Sequence, residues 1–308
     1  MTSIAVFGAG GIGGYFGGRF AQAGADVLLI ARGAHLTALR ERGLRVESIH
    51  GDFEVDLSAT DDPAEIGPVD YVLVTVKSFD TTATARALDP LLHDETAVIS
   101  LQNGVDNEEK LAREIDAEHV LGGVAYIFST IGDPGVIEHT SGPARVIFGE
   151  LDGARSERAE RFLELCTQAD IDAELSTDIQ RDMWEKFAFI CAQAGMTAAT
   201  RLPIGAIREV PESWVMFREL LEDVVAVAEA EGVDVSDDLI DRWLEFATDL
   251  DADSYSSLHY DMTHEKQMEL ETFHGTIVRL ADDHDLPVSM SRAVYSILRP
   301  WAVRNDIE

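Results

Sequence analysis

Short apolar runs alternate with amphipathic stretches through the first half of the chain, and the runs close on glycine or on a polar residue. Ser3–Phe7 is such a run, ending at Gly8, as in a strand buried on both faces of a parallel sheet. Residues 12–23 have helical spacing, and Gly24 supplies the stop. Asp26–Ile30 predicts a second strand, residues 35–42 a short helix closed by Gly43, and residues 44–57 a hairpin-like excursion. Residues 70–76 and 96–101 read as further buried strands, and 81–92 and 107–115 as helices. Residues 120–127 read as a strand with an irregularity at Gly122-Gly123. Residues 135–140 and 144–148 read as antiparallel strands that close the sheet. After Ser176 the strand signal disappears. Residues 178–200, 214–231, 237–247, 256–283 and 291–303 all have helical periodicity, with Phe217, Leu220, Leu221, Val224, Val225 and Ala228 on one face. The expectation is an α/β fold. A Rossmann-type, doubly wound domain spans residues 1–176, and an all-α domain spans 177–308.

Charge narrows the function. The chain has 57 Asp and Glu against 24 Lys and Arg, a net charge of −33. That balance excludes nucleic acid as a partner, because phosphates need cations, and it disfavours anionic membranes. An apolar fraction of 46% is ample for a core, so the acidity is a surface property. Many carboxylates with few lysines predict a salt-adapted, halophilic protein whose self-repulsion is screened by ions. No apolar stretch approaches the roughly 18 residues of a membrane span. The chain starts on a strand without a charged leader, so a cytoplasmic location is expected. Cys166 and Cys191 lie in apolar helical contexts and read as core residues. The oligomeric state is left open, a homodimer included.

The candidate chemistry begins at Gly8-Ala9-Gly10-Gly11-Ile12-Gly13, between a strand and a helix and followed by a second strand. In that context Gly8 allows the tight turn and Gly10 lets a pyrophosphate approach the backbone. Gly13 lets helix and strand pack closely, and Gly11 and Ile12 open the helix N-terminus that faces the phosphates. Where an acidic residue would accept from a ribose 2′-hydroxyl, the second strand ends in Arg32. A guanidinium pairs with a 2′-phosphate, which favours NADPH over NADH. The chain has only four lysines. One of them, Lys77, ends the third strand, in VTVKSF. Another, Lys186, stands in DMWEKF. Asn103 and Gly104 follow the next strand, so Lys77 and Asn103 both fall at carboxyl ends of strands, where doubly wound sheets bind ligands.

GAGGIG, IAR, VTVKSF, LQNGV, DMWEKF and SSLHYDM…MELETFHG resemble the ketopantoate reductases (2-dehydropantoate 2-reductases) in order and spacing over nearly the whole chain. The resemblance implies reduction of a 2-oxo acid by NADPH, on the route to pantothenate and coenzyme A, in a cleft between the two domains. It assigns Lys186 as the general acid and Glu269 as a contact to the substrate hydroxyl. Ser257 is implied to hold the carboxylate, with Asn103 and Lys77 beside cofactor and substrate. The chemistry is consistent with those roles, since an ammonium both stabilises the forming alkoxide and supplies its proton.

The chain also departs from the family pattern. Ile190 and Ala194 stand where two substrate-contacting asparagines are usual, and His274 stands where another asparagine precedes a late glycine. Gln193 is the nearest amide. The departures leave room for a paralogue acting on another branched 2-oxo acid, or for a non-catalytic NADP-binding sensor. His35, His93 and His119 read as surface or capping groups. His259, His264, His274 and His284 share a region without metal-ligand spacing, so no metal is expected.

Overall fold

The computed structural model describes residues 2–306, which form two compact units divided between Asp182 and Met183.

The first unit contains β1 (Ser3–Phe7), α1 (Gly11–Gln22), β2 (Asp26–Ile30), α2 (Gly33–Arg42), β3 (Leu44–Ser48), β4 (Phe53–Val55), β5 (Ser58–Thr60) and β6 (Tyr71–Val74). It continues with α3 (Thr81–Arg86), β7 (Ala97–Ser100), α4 (Asn107–Ala112), β8 (Val120–Ile131), β9 (Val136–Glu150), α5 (Glu157–Gln168) and β10 (Asp172–Leu175). Strands β5-β2-β1-β6-β7-β8 lie side by side and parallel, the order of a dinucleotide-binding sheet. Strand β9 then runs antiparallel to β8. The excursion at residues 44–57 is a hairpin, but its first strand also pairs in parallel with β9, at Arg45↔Val136. Segments adjacent in sequence to β2 thereby complete the far end of the sheet, which curls.

That curl explains the glycine density of α1. A Cβ at Gly14 would lie 2.6 Å from Ile137 of β9, and one at Gly18 would lie 3.0 Å from Leu44 and Phe53 of the hairpin. On another side, a Cβ at Gly17 would lie 3.0 Å from Val6 of β1. Sheet elements meet the helix on more than one face, so glycine is needed at several positions round it. Phe16 points into the core with Phe148 and Phe162, all fully buried. Each such ring contributes roughly 1.5–3 kcal/mol of burial.

Several elements differ from the pattern-based expectation. The irregularity of β8 falls between Tyr126 and Ser129, where its register shifts, and not at Gly122-Gly123. Gly123 is small because a Cβ there would sit 2.4 Å from the Ser100 carbonyl. The expected helix at 81–92 stops at Arg86, and a separate 3₁₀ turn follows at Asp89–Leu91. The two expected strands at 135–148 are one continuous strand. Helix α5 buries Ala159, Phe162 and Cys166, spaced three and four apart against the sheet, although most of its other positions are polar.

The second unit is helical: α6 (Ile179–Thr200, whose first turn belongs to the first unit), α7 (Ile204–Arg208), α8 (Pro211–Ala230), α9 (Leu239–Asp249) and α10 (Ser257–Thr263). A π-turn at Glu271–Gly275 then leads into α11 (Thr276–Asp283), and α12 (Ser289–Asn305) follows. The single helix expected at 256–283 is broken. Glu265 adopts a φ of 55°, and the Lys266 amide donates back to the Asp261 carbonyl at 2.9 Å, a left-handed C-terminal stop. No helix is long and apolar enough to cross a membrane.

Candidate active site

The carboxyl ends of β2, β1, β6 and β7, four neighbouring strands, carry Arg32, the glycine loop, Lys77 and Asn103 respectively. Gly8 has a φ of +106°, and a Cβ on it would meet the Val76 backbone nitrogen at 2.9 Å. Gly13 lies against Gly8: its Cβ would sit 2.3 Å from the Gly8 carbonyl and 2.3 Å from Thr75 Oγ1. A Cβ on Gly11 would meet the Ser129 carbonyl. A Cβ on Gly10 would meet nothing within 4 Å. The loop is therefore packed tightly from behind and open above Gly10, where α1 begins with unpaired N–H groups at Gly11, Ile12 and Gly13. The bare backbone, helix dipole and open space suit a pyrophosphate. Thr75 holds the loop in place, its hydroxyl donating to the Gly8 carbonyl at 2.7 Å; no glycine motif announces it.

Arg32 is exposed at the start of α2. The first fifty residues run against the acidity of the chain, with Arg19, Arg32, Arg40, Arg42 and Arg45 against Asp26, Glu41 and Glu47. Arg19 binds Asp170, Arg40 binds Asp61, Arg42 donates to the Pro134 carbonyl, and Arg45 pairs with Glu47. Arg32 makes no such contact among the described residues, so its guanidinium is available to an anion. His35, expected as a surface or capping group, is buried in α2 and accepts from the Gly135 amide at 3.0 Å. Burial holds its imidazole below the usual histidine range.

Lys77 is exposed and Asn103 half-buried, on loops that a buried polar network braces together. Gln102 donates to the Val76 carbonyl at 3.0 Å and to Thr81 Oγ1 at 2.8 Å. Asn107 donates to the Asn103 carbonyl at 3.0 Å and accepts from Thr81 at 3.0 Å. Gln102 and Asn107 carry no motif of their own; only the tertiary pairing shows what they hold. A surface depression of about 520 Å³ around Arg86, Glu114 and His119 lies at the amino ends of β7 and β8, away from the ligand-binding edge.

In the second unit, Lys186 lies on α6 in a segment held by its neighbours. The Glu185 carbonyl accepts from Trp243 Nε1 at 2.7 Å, and its carboxylate takes the Ser236 amide and Arg242, both at 2.9 Å. Burial pushes that carboxyl up, but these donors outweigh it and hold Glu185 below its usual range. Phe187 meets the edge of Phe273, ring centroids 6.4 Å apart, which docks the π-turn on α6. Glu269, just before that turn, is buried. Desolvation lowers the Lys186 ammonium to about 7, while the charge of Glu269 pulls it the other way. Lys186 as a whole residue is half-buried. A lysine poised near neutrality beside a carboxylate can exchange a proton with a bound oxygen. Ser257 is exposed at the start of α10, whereas its neighbour Ser256 is buried, sharing a 2.7 Å hydrogen bond with Thr197 of α6.

His274 is fully buried, with burial pushing its imidazole down to about 4. The Cys191 carbonyl pulls weakly upward, though neither ring nitrogen reaches hydrogen-bonding geometry. Cys191 and Cys166 are buried, free thiols held in their protonated form, Cys166 pushed up to about 12. Among the described residues no cluster of three or more His, Cys, Asp or Glu is arranged to hold a metal ion.

Comparison with known proteins agrees with this architecture. The family model described as ketopantoate reductase PanE/ApbA matches residues 4–153, and its C-terminal counterpart matches 178–302. A 2-dehydropantoate 2-reductase from Halobacterium salinarum is 33% identical over 301 residues, covering 96% of this chain and 97% of its own. An uncharacterized oxidoreductase, YkpB, from Bacillus subtilis is 30% identical over 298 residues, with 96% and 97% covered. The crystal structure of a PanE/ApbA family ketopantoate reductase from Ralstonia eutropha superposes with a TM-score of 0.92 at 31% identity, covering 99% of this chain and all of that one. With both family models and full-length relatives in agreement, this chain belongs to the ketopantoate reductase family of oxidoreductases.

Proposed function

We propose that the protein reduces 2-dehydropantoate to pantoate with NADPH, a step toward pantothenate and coenzyme A. Lys186 carries this reading: it is a lysine with a pKa of about 7, next to a buried glutamate. Bound NADPH supplies a hydride to the carbonyl carbon. The first unit binds the dinucleotide, with the N-terminus of α1 facing the pyrophosphate and Arg32 pairing with the 2′-phosphate. Lys77 and Asn103, at the same sheet edge, meet the nicotinamide half and the substrate. As negative charge forms on the carbonyl oxygen, the Lys186 ammonium stabilises it and transfers a proton to it. Glu269 keeps the ammonium from losing its proton too readily, and contacts the substrate hydroxyl. Ser257 donates to the carboxylate.

Initial rates with NADPH across a panel of 2-oxo acids, in high potassium chloride to screen the carboxylate surface, test the proposal. The expected result is fastest turnover with 2-dehydropantoate. NADPH binding without turnover of any 2-oxo acid would overturn it.

A further inference from the structure

One short segment grips Glu185, the residue next to Lys186, at four points. Ser236, just ahead of α9, donates to Glu185 Oε1 through its amide at 2.9 Å and through its hydroxyl at 2.5 Å. Arg242 of α9 donates to Glu185 Oε2 at 2.9 Å and is itself held by Asp238 at 3.0 Å. Trp243 Nε1 donates to the Glu185 carbonyl at 2.7 Å. That last bond is surplus to the helix, because a carbonyl inside α6 has the amide four residues on as its partner. What Trp243 adds is position. Its ring also packs on Phe189, about one turn further along α6, with centroids 4.9 Å apart.

At about 100° per residue, Glu185 and Phe189 lie roughly 60–100° to one side of Lys186, and Phe187 lies about 100° to the other. The first flank is fastened to the start of α9, and the second meets Phe273 of the π-turn. Lys186 therefore lies between two anchored flanks. We propose that Ser236 and Trp243 are positioning residues for the proton transfer: through Glu185 they fix the height and rotation of α6, and so hold the Lys186 ammonium in its water-poor setting. They act through Glu185 and not on the substrate. Desolvation is the larger influence on the ammonium, and the charge acting on it is that of Glu269, from the segment before the π-turn. Glu185, Arg242 and Asp238 are the charged groups of the grip itself. Loosening the grip admits water and raises the lysine's pKa, whereas losing a nearby carboxylate lowers it. The direction of a change therefore identifies its cause.

The inference rests on the reductase reading, and the test separates the two. Trp243→Phe keeps a ring on Phe189 and removes the donor, and Ser236→Ala removes one hydroxyl. Neither alters a charge; a double variant combines them, and each single variant stands in if the double one fails to fold. Trace acylation of the full-length protein with acetic anhydride across a pH series, read by peptide mass spectrometry, follows the titration of each amine. The four lysines are Lys77, Lys110, Lys186 and Lys266, so every label is assignable and the other three serve as internal references. Lys186 of the wild type should titrate at about 7. In the double variant its midpoint should rise by about half a pH unit or more, and each single variant should move the same way. With NADPH and 2-dehydropantoate, kcat should fall roughly tenfold or more while KM for NADPH stays within about twofold. A midpoint that stays in place, or a kcat within about twofold of wild type, overturns the positioning role, whatever happens to Tm. If the wild type reduces no 2-oxo acid, the reductase reading fails and the labelling midpoint alone decides. A rise then supports the grip, and an unchanged midpoint overturns it.

Discussion

In the proposed mechanism the glycine loop of the first unit and helix α6 of the second act by opposite means. The loop offers backbone: N–H groups at the start of α1, a vacant space above Gly10, and glycines where any side chain would collide. Helix α6 offers side chains on a regular backbone, and their chemistry is set by what packs around them. A backbone site depends on space and is disabled by adding atoms. A side-chain site depends on desolvation and neighbouring charge, and is disabled by changing what surrounds one nitrogen.

The sharpest test of that contrast is Lys186→Ala. It should lower kcat by about 10²-fold or more, the scale of general acid catalysis, with NADPH affinity nearly unchanged in a fluorescence titration. A variant retaining more than about half of kcat would remove the lysine from the chemistry. Arg32→Asp acts on the other side of the comparison. It should raise KM for NADPH by about tenfold or more, because a charged hydrogen bond becomes a repulsion, and leave use of NADH equal or better. A wild type that already prefers NADH would refute the role given to Arg32.

Two glycine variants separate packing from ligand space. Gly13→Ala places a Cβ 2.3 Å from the Gly8 carbonyl, so calorimetry should show Tm lowered by roughly 5 °C or more. Gly10→Ala meets no protein atom within 4 Å, so the fold should keep its Tm while the Kd for NADPH rises. Equal loss of Tm in both would mean that the space above Gly10 is structural.

The smallest effect expected is a displacement in pH. A general acid acts when protonated, and Lys186 titrates at about 7, so kcat/KM for reduction should be full below that pH and fall above it. The Glu269 carboxylate raises the lysine's pKa. Glu269→Gln should therefore move the falling limb to lower pH, besides weakening substrate binding. A limb that stays in place would show that Glu269 does not act on the lysine.

Much of this protein is legible along the chain. Strand, glycine turn and helix follow one another at GAGGIG, and the role of each glycine depends on atoms a few residues away or on the next strand of a predictable topology. Arg32 is legible for the same reason, since its position is the end of a strand. The breakdown of legibility has a pattern. Gly123 marks close approach to β7, and Glu265 ends a helix that periodicity carries onward. In both cases the deciding atoms belong to another strand or to a turn that hydrophobic spacing does not encode.

The amino-acid sequence by itself determined the parallel sheet, the glycine cradle, the helical second half and the identity of the residues able to do chemistry, because these follow from local conformation and residue type. The tertiary structure alone decided which of those residues share surroundings. It brought Glu269 within electrostatic reach of Lys186 and braced Asn103 with Gln102, Thr81 and Asn107. Desolvation and charge coupling are sums over neighbours from distant parts of the chain, and no local pattern contains that sum until the chain has folded.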